Sequence, residues 1–140
     1  MKASIVALCL GMAMFEAHAS DRWAFEAKIA VTGAPASGVY HHLDGAGRKH
    51  LAVSTHSVAA VWEDNRSQDP QIYVATKPRQ QRQFSSALQV STGAEAYEPA
   101  IATLPGDRFV LTWEQDAAIY ARVLGANGLA PPLELGKEPS

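Results

Sequence analysis

The side chains best suited to chemistry lie close to two tryptophan-centred stretches. Asp64 and Arg66 follow Trp62, Tyr97 and Glu98 precede Pro99, and His41 and His42 stand side by side earlier in the chain. Carboxylates beside a guanidinium and an aromatic suit a polar sugar or peptide ligand, because the guanidinium forks onto oxygen pairs and the ring offers an apolar face. Glu63 and Glu114, each directly after a tryptophan, add acceptors. Structural roles compete with these. Asp64 and Arg66 also make a loop-stabilising pair, Glu63 and Glu114 accept turn hydrogen bonds, and Tyr97 packs at a junction. Glu98, ahead of Pro99, is held extended.

His41, His42, His50 and His56 raise the question of a metal. Adjacent residues on a strand point to opposite faces, so His41 and His42 cannot easily share one ion. Neither His-x-His nor His-Glu-x-x-His spacing occurs. No metal and no other cofactor is therefore expected. There is no Gly-x-Ser-x-Gly elbow and no phosphate-cradling loop, and the serines and histidines lack the spacing of a triad. The Asn65-Arg66-Ser67 sequon is read as chance.

Composition narrows the partners. The formal net charge is −2 and no Lys/Arg run interleaves with aromatics, which gives no case for nucleic acid or an anionic membrane surface. The most basic segment, 77–82, is a solvated loop. With 47% hydrophobic and 19% charged residues over 140 positions, the chain suits one globular domain. Residues 1–19 form a secretory signal peptide: Lys2 is the positive region, 5–15 the apolar core, and Ala17-His18-Ala19 the cleavage site before Ser20. The mature protein is then periplasmic or secreted, with no membrane span. Cys9 leaves with the signal, so no disulfide or thiol remains to do chemistry.

The elements that must position these residues are strands. Residues 58–62, VAAVW, are apolar at every position, as in a strand covered on both faces, and 109–113, FVLTW, nearly repeat them. Further strands are expected at 27–33, 39–43, 50–55, 85–91 and 133–135. Turns fall at 44–47, at His56-Ser57 and at Pro105-Gly106-Asp107. No helical periodicity with a capping residue follows the signal peptide.

The organising feature is a duplication. Trp62 matches Trp113 at an offset of 51, and Ile72-Tyr73 match Ile119-Tyr120 at 47, so a loop absorbs the difference. A repeat of this length with about four strands per unit is the mark of a β-propeller, with a β-sandwich as the alternative. The fold expected is all-β: two four-stranded antiparallel blade-like sheets of an incomplete propeller, units 39–93 and 94–135 within 20–140. Glu138-Pro139-Ser140 repeats Glu98-Pro99-Ala100, as though a third unit began there. The chain is expected to be the N-terminal part of a longer protein, or to complete a ring by self-association. A partner covering the open blade faces, as in an envelope complex, is the third possibility.

The pieces VWEDNRSQDPQIYVAT, Phe84-Ser85-Ser86 and Glu98-Pro99-Ala100-Ile101 resemble bacterial proteins with sialidase-type (BNR, Asp-box) repeats, over about 39–135. The resemblance implies propeller blades and a binding site at the end where the second-to-third strand loops meet the blade crossovers. It gathers 64–69, 115–117, 34–42 and 94–98 there, with Asp64, Arg66, Tyr97, Glu98 and His41 as candidates. In that family an Asp-box precedes the fourth strand; here 76–84 keep its aromatic, Phe84, without its Asp and Gly. No arginine-triad motif matches, so no catalytic residue carries over. The implied function is a non-catalytic binding or scaffold module for carbohydrate or protein ligands. The alternative is a fragment of an exo-sialidase-like glycoside hydrolase whose catalytic residues lie on further blades.

Overall fold

The computed structural model describes residues 27–31 and 48–137. His41, His42, the signal peptide, the strand expected at 39–43, the turn at 44–47 and residues 138–140 lie outside the described residues.

Every regular element among the described residues is a strand. The first sheet holds β1 (Leu51–Val53), β2 (Ser57–Ser67), β3 (Asp69–Pro78) and β4 (Leu88–Gln89), in that order. The second holds β5 (Ala96–Leu104), β6 (Arg108–Gln115) and β7 (Ala118–Gly125), with β8 (Gly128–Leu129) and β9 (Leu133–Lys137) both pairing β7. All pairings are antiparallel. The described residues are all-β because β-branched and aromatic residues alternate between residues that tolerate turns. Gly106 and Asp107 turn the chain with φ of 77° and 57°, and Asp116 and Ala117 make a two-residue hairpin with φ of 53° and 55°.

Register shows the duplication pair by pair. Val58↔Lys77 corresponds to Phe109↔Leu124, Ala59↔Thr76 to Val110↔Val123, and Trp62↔Tyr73 to Trp113↔Tyr120. On the entry side, Leu51↔Ala60 corresponds to Ile101↔Leu111. On the far side, Val74↔Leu88 corresponds to Ala121↔Leu133, and Tyr73↔Gln89 to Tyr120↔Glu134. β9 is thus the counterpart of β4. Both units share one four-strand plan, to which β8 is an addition.

The length difference has a structural cause. Six residues separate the paired Asp64 and Gln71, but only two separate Gln115 and Ala118. The extra four do not form the free loop expected at 64–69. They extend β2 and β3 through a bulge, to a reversal at Gln68 (φ 87°).

The sheets stack face to face. Ala52, Ala59, Val61, Ile72, Val74 and Val90 of the first unit form one core with Ile101, Phe109, Leu111, Trp113 and Leu124 of the second. Alternation along each strand defines two faces per sheet. One carries the tryptophan (Trp62 and Tyr73; Trp113 and Tyr120). The other is aliphatic (Ala59, Val61, Ile72 and Val74; Val110, Thr112, Ile119 and Ala121). The junction joins the aliphatic face of the first sheet to the tryptophan face of the second. β1 and β5 come closest along its edge, where Ile101 N–H donates to Lys49 O at 2.9 Å and Thr103 Oγ1 to Val53 O at 3.2 Å.

Four expectations are corrected. Residues 27–31 contain no strand, and the strand at 85–91 shrinks to Leu88–Gln89. The run at 109–113 is not covered on both sides: Phe109, Leu111 and Trp113 are buried, whereas Val110 and Thr112 are only half-buried, because sheet packing covers one face alone. Glu98 is not extended. It takes φ 54° in a bulge between Tyr97 and Ala100, where Pro99 has no N–H to offer the ladder.

Candidate functional site

The strands carry their polar residues to one end of the stack, where the β2–β3 and β6–β7 reversals meet the crossover into β5. Two clusters form there, on different faces of the first sheet.

The first cluster lies on the tryptophan face. Arg66 N–H donates to Asp64 Oδ1 at 2.8 Å, Arg66 Nε to Asp64 Oδ2 at 2.9 Å, and Arg66 Nη2 completes the fork. Trp62 Nε1 donates to the same carboxylate at 3.3 Å. The guanidinium carbon stands 4.7 Å from the Tyr73 ring centre and 5.8 Å from that of Trp62, and those rings stack at 6.3 Å. Asp64 and Arg66, two residues apart on β2, share a face of the strand. Burial alone would raise the Asp64 pKa, but the hydrogen bonds from Arg66 and Trp62 outweigh it and hold the carboxylate below the usual range. The Arg66 pKa is raised, chiefly by its hydrogen bonding to Asp64. Asp64 is held ionised, which unfits it to donate a proton.

The second cluster sits where the sheets meet. Arg48 pairs with Glu98, whose N–H donates to Glu63 Oε2 at 3.3 Å, and Tyr97 OH donates to Glu95. Glu63 and Asp64 are consecutive on β2 and point to opposite faces. The structure therefore groups Glu63 with Glu98, and Asp64 with Arg66, but does not merge the two pairs. Tyr97 and Glu98 are half-buried neighbours on the β5 entry. His41 lies outside the described residues.

Between the clusters a belt of hydrogen bonds fastens the crossover. Gln71 Nε2 donates to Ala94 O at 3.0 Å, and Ser91 Oγ donates to Gln71 Oε1 at 2.7 Å and accepts from Ile72 N–H at 2.8 Å. Gln115 Nε2 donates to Thr92 O at 2.9 Å and Ala94 O at 2.8 Å, while Trp113 Nε1 donates to Gln115 Oε1 at 3.0 Å. Beside the belt is an open cleft of about 220 Å3, lined by Thr92, Ala94, Trp113, Gln115, Asp116 and Tyr120 among others. A broader groove of about 510 Å3 separates residues 27–31 from 82–86.

Sequence reasoning passed over Arg48, Gln71, Ser91 and Gln115. The repeat itself held a signal for Gln115, which occupies the position of Asp64 at the offset of 51. An amide donates to crossover carbonyls, whereas a carboxylate cannot, so Asp64 recruits Arg66 instead. Asp107, in the turn at the opposite end, was also passed over. It accepts from Ser54 Oγ, from Ser57 Oγ at 2.8 Å and from His56 N–H at 3.2 Å, tying the β5–β6 turn to the β1–β2 turn. The Ser54 and Ser57 bonds hold its pKa low.

The described histidines serve through their backbones here: His50 O accepts from Val61 N–H at 2.9 Å, and His56 N–H donates to Asp107. Among the described residues no three His, Cys, Asp or Glu side chains converge as a metal site, and no helix is long and apolar enough to cross a membrane.

Comparison with protein-family models, curated proteins and solved structures finds no match.

Proposed function

We propose that the chain is an exported, non-catalytic binding or scaffold module of stacked propeller-type blades, of the sialidase-like kind its motifs resemble. Its ligand is a carbohydrate or a protein. One observation carries this reading: the aliphatic face that the first sheet uses to bind its neighbour recurs on the second sheet, where Ile119 is exposed and Val110 and Thr112 are half-buried. A sheet that presents such a face is built for association. The polar end offers a separate surface for a hydroxyl-rich ligand, through Arg48, Tyr97, Glu98 and the cleft beside Gln115.

The hydrolase alternative is less well supported. Its catalytic residues would lie on blades beyond those described, and this chain carries neither an intact Asp-box nor an arginine-triad motif. The direct test pairs a fluorogenic sialoside assay with a sialyllactose titration followed by tryptophan fluorescence. Saturable binding without turnover is expected. Turnover abolished by Glu98→Gln or Asp64→Asn would establish an enzyme instead, and absence of both turnover and saturation would remove the carbohydrate ligand.

A further inference from the structure

We infer that the open aliphatic face of the second sheet receives the tryptophan face of the first sheet in a second copy of this chain, so that copies stack head to tail. This rests on the scaffold reading and names the partner.

The junction inside the chain supplies the pattern. At three matched positions a side chain covered in one unit is more exposed in the other. Ile72 is 0% exposed and its counterpart Ile119 is 43%. On the tryptophan faces the inequality reverses: Ile101 is 3% exposed and its counterpart Leu51 is 57%. Trp113 is buried while Trp62 is only half-buried. Each unit thus keeps apolar side chains exposed on the face that the other has covered, Ile119 on the aliphatic face of the second sheet and Leu51 and Val53 on the tryptophan face of the first, around the buried Ala121 and the buried Ala60, Tyr73 and Ala75 respectively.

The two open faces differ in kind and match the two that already mate. The aliphatic face is shallow, with Val110, Thr112, Ile119 and Ala121 across its middle. The tryptophan face of the first sheet offers Leu51, Val53, Val58 and Trp62. At the internal junction Glu63 accepts the Glu98 N–H, and the matching Glu114 is exposed at the same place on the second sheet. A contact that joins unlike faces is heterologous: it propagates, and closes into a ring when the rotation per sheet allows. Propeller-like rings close at about four to eight sheets, which corresponds to about two to four copies.

The test uses the full chain and two surface substitutions, Ile119→Lys on the aliphatic face and Leu51→Lys on the tryptophan face. Mass is measured by sedimentation equilibrium over a hundredfold range of concentration. The unaltered chain is expected at two to four times its monomer mass. Each variant alone is expected to fall to monomer, and an equimolar mixture of the two to give a dimer, because one open face of each kind survives. A monomeric unaltered chain overturns the inference. So does a mass that neither substitution changes, which would place association elsewhere, including residues 1–19. Full association of one variant by itself, with nothing gained on mixing, would mean a contact between like faces and is equally contrary. Far-UV circular dichroism checks folding, and Leu133→Lys with Val53→Lys form a second pair at exposed positions of the two faces. Sialyllactose titration of the monomeric Ile119→Lys variant separates loss of assembly from loss of ligand binding.

Discussion

Trp62 and Trp113 occupy one position of a duplicated sheet but meet different surroundings. Each stacks on the tyrosine directly across the next strand, at 6.3 Å and 5.8 Å. Trp113 then packs into the junction and donates to Gln115, whereas Trp62 lies near Arg66 and donates to Asp64.

That difference sets unequal costs for truncation. Trp113→Ala removes a buried ring from the junction and is expected to cost about 3–5 kcal/mol. Trp62→Ala, at a half-buried site, is expected to cost less than half as much. Urea denaturation of the two variants measures both.

Asp64→Asn discharges the carboxylate that Arg66 forks onto. The guanidinium keeps its place near the rings but loses its counter-charge, at an expected cost of about 1–3 kcal/mol. Arg66→Ala added to Asp64→Asn removes the guanidinium left without its counter-charge and is expected to recover part of that loss. Thermal denaturation of single and double variants is the check.

Acid should loosen both ends of the stack. The folded-state pKa values of Asp64 and Asp107 lie below the ordinary value of 3.8. Their contributions are complete above the unfolded-state value and disappear as pH falls through the lowered, folded-state values. Melting temperature is therefore expected to drop steeply below about pH 4. Asp107→Asn should flatten that drop while lowering the melting temperature at neutral pH. Calorimetry between pH 2 and pH 7 reads both effects.

The hairpin at Asp116-Ala117 places two side-chain-bearing residues in the left-handed region, with φ of 53° and 55°. Alanine has no local polar group to offset that conformation, whereas Asn-Gly suits it. Asp116→Asn with Ala117→Gly is expected to raise stability by about 1 kcal/mol, read as a higher urea midpoint.

Fold class was legible because the offsets of 51 and 47 survive as paired registers: Trp62 to Tyr73 and Trp113 to Tyr120 are cross-strand neighbours in both units. Local apolar runs misled where packing decides. The run at 109–113 has the composition of a doubly covered strand, yet alternation leaves Val110 and Thr112 on the open face. The site was half legible. Asp64 and Arg66 pair as their spacing allows, but the extension of β2 and β3 past them follows from extra residues no local pattern marks. Arg48 meets Glu98 across fifty residues, a contact set by stacking rather than by sequence proximity.

The most direct test of the stacking is a double-mutant cycle across the junction, with Val61→Ala and Ile101→Ala measured singly and together by urea denaturation. Both side chains belong to the shared core, one from each sheet. A coupling of about 0.5–3 kcal/mol between them is the expected result. Strict additivity, with coupling below about 0.3 kcal/mol, would contradict the packing of the two sheets against one another.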